Sequence, residues 1–155
     1  MDERELKWHL RFLAMAELVA GFSKDPSTKC GAVIVRPDLT VASVGYNGFP
    51  RGCDDSDEKY NNRPLKYERV VHAELNAILS CYERPVGYTI YTWPPSNGGA
   101  CARCAAHIVQ AGIKRMVHVG GPDFAEGRWN ESLAIGNQLF QEAGVEIIVL
   151  PSERG

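Results

Sequence analysis

Two short motifs in this sequence carry the side chains and the spacing for metal chemistry. The first is His72-Ala73-Glu74. The second is Cys101-Ala102-Arg103-Cys104, with 26 residues between Glu74 and Cys101. Each falls where the surrounding pattern predicts the start of a helix. Two cysteines three apart on a helix share one face. At a helix N-terminus their sulfurs meet unpaired backbone N–H groups and the positive end of the dipole. That setting favours the thiolate, the form a metal binds. His72 adds an imidazole nitrogen from the neighbouring helix start. One imidazole and two thiolates make three ligands of a tetrahedral zinc and leave a fourth position for water, which is the pattern of a catalytic site and not of a closed structural one. Glu74, two residues beyond His72, points to a different side of the helical turn and reaches that water more readily than the metal. Zinc lowers the pKa of the water toward neutrality, and a carboxylate beside it takes the proton.

Taken singly, each motif has a plainer reading. A Cys-x-x-Cys pair serves equally as a redox pair or half of a structural zinc site. A lone His at a helix start is ordinarily a core or solvated residue. Neither reading accounts for both motifs opening successive helices. A non-catalytic zinc-binding module stands as the alternative from another class; it requires a closed four-ligand site and has no use for Glu74.

The elements that must position these residues follow from periodicity. Glu3 to Phe22 has helical apolar spacing and stops near Gly21. Asp25-Pro26-Ser27 is a turn. Gly31–Val35 and Val41–Tyr46 are strands, and the short polar link between them predicts an antiparallel hairpin. Gly48 to Leu65 is rich in Gly, Asp, Asn and Pro and reads as a long functional loop. Helical spacing returns at Val71 to Leu79. Tyr88–Trp93 is a strand, Cys101–Ala111 a helix, Arg115–Val119 a strand, Leu133–Ala143 a helix and Val145–Leu150 a last strand. The alternation from residue 72 onward implies right-handed crossovers and parallel strands. The expected fold is α/β: a mixed five-stranded sheet, antiparallel at its opening hairpin and then parallel, between layers of helices.

Composition sets the outer limits. The chain has 155 residues, enough for one domain with a core of its own, and no second domain or internal repeat is visible over 1–155 apart from a polar tail from about 151. With 17 Lys+Arg against 19 Asp+Glu, net charge is −2, which speaks against a dedicated nucleic-acid binder. The N-terminus is charged with no apolar signal region after it, no run is long enough to span a membrane, and the C-terminal residues carry no lipidation motif. The expectation is a soluble, cytoplasmic protein. Five cysteines are an odd number in a domain that needs no disulfides, so the compartment reads as reducing. Two of the five belong to the motif; Cys30, Cys53 and Cys81 are read as free thiols. His9, His107, His118, Trp8 and Trp129 have no motif around them and read as ordinary packing residues.

His72-Ala73-Glu74 followed by Cys101-x-x-Cys104 resembles the zinc-dependent cytidine and deoxycytidylate deaminase superfamily, whose signature and mechanism are general knowledge of nucleobase deaminases. The resemblance extends through Ser23-Lys24-Asp25-Pro26, Gly45-Tyr46-Asn47-Gly48-Phe49-Pro50-Arg51-Gly52-Cys53, His72 to Ile78, and Gln110-Ala111-Gly112-Ile113-Lys114. These segments are similar to the deoxycytidylate (dCMP) deaminase branch and run over most of residues 10–150. One position departs: the family has Pro before the first metal cysteine, where this chain has Ala100. Pro suits a helix start because its missing N–H would be unpaired there anyway; Ala can stand there too, with a different loop before it.

The resemblance implies a three-layer cytidine-deaminase-like fold and hydrolytic deamination of dCMP to dUMP and ammonia, feeding thymidylate synthesis. It implies one catalytic Zn2+ per subunit on His72, Cys101 and Cys104, with Glu74 shuttling the proton to N3 and to the leaving ammonia. The Ala73 N–H would meet the pyrimidine carbonyl, the backbone near Trp93 and Pro94 the amino group, and Asn47 the sugar 3′-hydroxyl. Lys24, Lys29 and Arg51 are candidates for the 5′-phosphate, although each reads equally as a solvated charge. The branch is also commonly regulated, activated by dCTP and inhibited by dTTP with Mg2+ on the triphosphate, and is commonly a homo-oligomer, often a hexamer. Gly45, Tyr46, Asn47, Gly48, Arg51, Lys114 and Arg115 are the candidates for the effector site. Two other deaminases of the same fold, acting on a tRNA adenosine or on cytosine in single-stranded DNA, remain alternatives. They need a basic, aromatic groove, which the overall acidity does not suggest.

Overall fold

In a computed structural model, which describes residues 1–124 and 127–152, the chain forms a five-stranded sheet covered by helices on both faces. The elements are α1 (Glu3–Ala20), β1 (Gly31–Val35), β2 (Val41–Tyr46), α2 (Asp57–Asn61), α3 (Arg63–Arg69), α4 (Ala73–Leu79), β3 (Thr89–Trp93), α5 (Ala102–Ala111), β4 (Arg115–Val119), α6 (Gly127–Ala143) and β5 (Glu146–Leu150). Strand order is β2-β1-β3-β4-β5. β1 runs antiparallel to β2 and also to β3, and β3, β4 and β5 are parallel, as the alternating pattern predicts. The three residues 153–155 of the expected polar tail lie outside the described residues.

Side chains alternate across the sheet and divide the core in two. Val33, Val35, Tyr91 and Val117 face α1, where Phe12, Leu13 and Ala16 are buried. Ala32, Ile34, Ile90 and Met116 face the other way, onto Ala73 and Ala77 of α4, Ala105 and Ile108 of α5, and Phe140 of α6. The result is three layers: α1, the sheet, and α4 with α5 and α6. β2 crosses α4 at close range because position 45 lacks a side chain. A Cβ on Gly45 would lie 2.4 Å from the Ala77 nitrogen and 2.5 Å from the Ala73 carbonyl oxygen.

Two sequence expectations change. The segment read as one long loop, Gly48 to Leu65, contains α2 and the start of α3. Asn62 caps α3 by accepting from the Leu65 N–H, and Pro64 sits in its first turn, where its missing N–H is harmless. These helices bury only Tyr60 and Lys66, so they leave no apolar period to detect. The last helix begins at Gly127, well before the expected Leu133. Its added turns carry Trp129 into a cavity and hold Ser132, whose hydroxyl accepts from the Ala102 N–H at the start of α5.

Candidate active site

The parallel strands end at Trp93, Val119 and Leu150, and the two chemical motifs gather at this end of the sheet beside β3. His72 is the N-cap residue of α4 and Cys101 the N-cap residue of α5. His72 Nδ1 lies 3.2 Å from Cys104 Sγ and 3.5 Å from Cys101 Sγ. All three ligand atoms fall within 4.8 Å of one another. Tetrahedral zinc, with bonds of about 2.0 Å to nitrogen and about 2.3 Å to sulfur, sets its nitrogen and sulfur ligands about 3.5 Å apart. The donor set and its spacing therefore fit zinc, and among the described residues no fourth His, Cys, Asp or Glu joins the cluster.

The local chain explains the convergence. Cys101 Sγ accepts from the Cys104 N–H at 3.5 Å, so the first sulfur takes up one of the unpaired donors at the helix start. Cys101 is the readier thiolate, held below the ordinary thiol range by the Cys104 thiol that hydrogen-bonds to it, by His72 and by that backbone N–H, against the opposing effect of burial. Cys104, the other half of this pair, is pushed up. The Cys101 sulfur in turn raises His72. Ala100 stands buried where the family has Pro. α6 approaches it closely: a Cβ on Gly136 would lie 2.4 Å from the Ala100 carbonyl oxygen.

Glu74 lies in the first turn of α4, and its carboxyl is raised above the ordinary value chiefly by burial, with the His72 charge pulling the other way. A carboxyl so placed is a ready proton carrier. His72, Ala73, Glu74 and Cys101 line a cavity of about 390 Å³. Asn47, Trp93 and Pro94 line it as well, and the Trp93–Pro94 peptide is cis. Asn47 is held rigidly. Its Oδ1 accepts from the Cys30 N–H at 2.8 Å, and its Nδ2 donates to the Thr28 carbonyl at 2.9 Å and to Asp25 at 3.3 Å. Both amide hydrogens are thus engaged, and one lone pair of Oδ1 remains for a hydroxyl donor.

Other predicted residues lie elsewhere. Lys24 pairs with Asp55 at 2.8 Å on the surface, and Lys29 donates to the Ser23 carbonyl. Neither lines the cavity, nor does exposed Arg51. Gly45 serves the β2–α4 contact, and Gly48 exchanges two backbone hydrogen bonds with Val71. Tyr46 is exposed and meets Phe22 edge-on. Lys114 and Arg115 sit at the start of β4, the far end of the sheet from the cysteines, and Arg115 pairs there with Glu146 at 2.9 Å. They are not close to the Gly45–Gly48 segment in the sheet order, which puts β2 at one edge and β4 three strands away. Of the three leftover cysteines, Cys53 is exposed, Cys81 half-buried, and Cys30 lines the cavity with a thiol pushed up to about 12 by burial.

The structure also brings in residues that the sequence did not single out for the site. Asp25, Ser27, Thr28, Arg63, Lys66, Tyr67 and Trp129 all line the cavity. The Trp129 ring lies 6.1 Å from the His72 ring and 6.2 Å from the Tyr67 ring. Arg128 covers the Tyr67 ring at 4.0 Å. The aromatic residue three or four positions ahead of a periodic run was the available hint for Trp129.

Residues 6–119 match the model of the cytidine and deoxycytidylate deaminase zinc-binding region. The chain belongs to the cytidine and deoxycytidylate deaminase family. Within the family it is 41% identical over 145 residues to the deaminase of the luxG 3′ region of Aliivibrio fischeri, covering 94% of this chain and 95% of that one. It is 36% identical over 150 residues to human deoxycytidylate deaminase, covering 90% of this chain and 78% of the human protein. The fold matches the dCMP deaminase of cyanophage S-TIM5, solved with dCMP and dUMP, at a TM-score of 0.71 and 24% identity, over 97% of this chain and 99% of the phage chain. The deaminase signature thus accounts for the cluster of His72, Cys101 and Cys104 with Glu74 beside it. Among the described residues no helix is long and apolar enough to cross a membrane.

Proposed function

We propose that this deaminase hydrolyses dCMP to dUMP and ammonia. The observation that carries the choice of substrate is the likeness to deoxycytidylate deaminases over nine-tenths of the chain. The cavity supports it with the elements the reaction needs. A zinc ion on His72, Cys101 and Cys104 would supply a Lewis acid that makes water nucleophilic near neutral pH. Glu74 carries the protons: it takes one as water adds to C4, delivers it to N3, and gives a proton to the departing ammonia. Water and dCMP are thereby converted to dUMP and ammonia with no other reactant. The Ala73 N–H, in the first turn of α4 and without a helical partner, is the donor for the pyrimidine carbonyl. Backbone near Trp93 and Pro94 receives the amino group. Asn47 accepts from the sugar 3′-hydroxyl through its remaining lone pair.

The same reading includes a role in supplying dUMP for dTTP synthesis, activation by dCTP and inhibition by dTTP with Mg2+, assembly into a homohexamer, and a cytoplasmic location. What supports these is the resemblance around Gly45-Tyr46-Asn47-Gly48. Ammonia release from dCMP, deoxycytidine, cytosine and an adenosine-bearing RNA, measured side by side, tests the substrate. dCMP is expected to have the highest kcat/KM, and preference for any other member of the set overturns the proposal. The dCMP assay repeated with dCTP or dTTP and Mg2+ tests the regulation.

A further inference from the structure

We infer that Trp129 is a specificity-determining residue for the base: its ring receives the non-polar C5–C6 side of the pyrimidine and limits what the base carries at C5. The inference rests on the dCMP reading above and adds a residue to it. That reading assigns every polar edge of cytosine. The carbonyl goes to the Ala73 N–H, N3 to Glu74, the amino group to backbone near Trp93 and Pro94, and the sugar to Asn47. The C5–C6 side carries only C–H groups and needs a non-polar wall. Of the non-polar side chains lining the cavity that the reading leaves unused, Phe124, Trp129 and Leu133 come from α6 and the segment just before it. Trp129 stands beside the metal-binding end: its ring lies 6.1 Å from the His72 ring, with the two planes 50° apart.

The spacing of those rings decides how a base can sit. A flat ring held between two others needs about 7 Å between parallel planes, two contacts of about 3.5 Å each. His72 and Trp129 are closer than that and not parallel, so they form a corner and not a sandwich. C4 of the base has two ring neighbours, N3 and C5. With C4 at the cluster beside His72 and N3 at Glu74, C5 is the atom left to meet the other wall of the corner, the indole. That wall is braced where it stands. Asn130, next along α6, accepts from the Phe124 N–H at 2.9 Å and donates to the Phe124 carbonyl at 2.8 Å. Ser132 accepts from the Ala102 N–H at 2.9 Å, and a Cβ on Gly98 would lie 2.8 Å from the Leu133 Cβ. α6 is thus fixed against the loop and the helix that carry Cys101 and Cys104, and Trp129 with it. Arg128, exposed and outside the cavity lining, stands over the same ring at 5.2 Å. A group added at C5 therefore meets a wall that yields little, and overpacking of that kind costs binding.

The test compares Trp129→Ala and Trp129→Phe with the unmodified enzyme on dCMP and on 5-methyl-dCMP, with zinc content and thermal midpoint recorded for each. The unmodified enzyme is expected to prefer dCMP by about 10-fold or more in kcat/KM, the scale on which a pocket discriminates one methyl group. Trp129→Ala is expected to lose most of that preference, and Trp129→Phe, which keeps a smaller ring, to fall between. A residue that only supports the fold would lower both rates together and leave their ratio alone. If Trp129→Ala does not fold, the ratio in Trp129→Phe decides. A ratio unchanged in the folded variants, or no preference in an unmodified enzyme that turns over dCMP, overturns this inference and leaves the dCMP reading standing. An unmodified enzyme that does not turn over dCMP overturns both.

Discussion

The Lys66 ammonium and the Asp25 carboxylate form an ion pair of 2.9 Å in the cavity wall, with side chains 11% and 2% exposed. The pair is the hub of a network: Asp25 also holds Ser27, Thr28 and Asn47 in place. Removing one member leaves a buried charge without its partner, which costs about 3 kcal/mol or more. Lys66→Met is therefore expected to lower unfolding free energy by about that amount, and Asp25→Asn similarly. In the double variant no charge is left unpaired, so the losses should sum to less than the two single effects. Urea unfolding of the four proteins at one pH measures this. Strict additivity would show that the two side chains act separately.

Glu74→Gln keeps the shape of the carboxyl and removes its proton chemistry. Zinc content and thermal midpoint should stay near those of the unmodified enzyme, and kcat for dCMP should fall by about 100-fold or more. Metal analysis and steady-state kinetics on the same sample check both halves. Full activity in this variant would remove Glu74 from the mechanism.

His72, Cys101 and Cys104 converge from two helix starts, so one metal ion held there would tie α4 to α5. One zinc per chain is expected by elemental analysis, and Cys104→Ala should lose both zinc and activity. Treating the unmodified enzyme with a chelator should abolish turnover, and added zinc should restore it. Turnover that survives complete loss of zinc would exclude a metal-dependent reaction.

His118 is buried in β4, and burial holds its pKa below the ordinary value of 6.5. His9, buried in α1 beside the Tyr91 hydroxyl, is lowered chiefly by burial too. Below about pH 6.5 the unfolded chain takes up protons on these residues that the folded chain refuses. Their contribution to stability is thus present above that pH and is lost as pH falls from it toward the folded values. Denaturant midpoints at pH 7.5 and 5.5, compared between the unmodified protein and His118→Leu, isolate the effect. The variant is expected to show the smaller acid loss; an equal or larger loss would contradict the assignment.

The metal centre was legible in the sequence because its chemistry leaves strict spacings: three residues from Cys101 to Cys104, two from His72 to Glu74. The sheet was legible because each buried strand is a short apolar run between turn residues, and the layers followed from their alternation with helices. The cavity wall was not. Arg63, Lys66 and Tyr67 lie on a short helix with no apolar stripe, and Asp25 reads as an ordinary turn residue until Lys66 arrives from 41 positions away. Lys24 and Arg51 look like phosphate ligands along the chain because they sit in the right motifs. A motif specifies backbone position, and at exposed positions it does not specify where a long cation ends.

α6 starts beyond the stretch matched by the family model, yet it supplies Trp129 and Leu133 to the cavity and Ser132 to the first turn of α5. Part of the cavity wall therefore lies outside the stretch that carries the metal ligands and Glu74. Changes along α6 can reshape what the cavity admits while the metal ligands and Glu74 stay as they are.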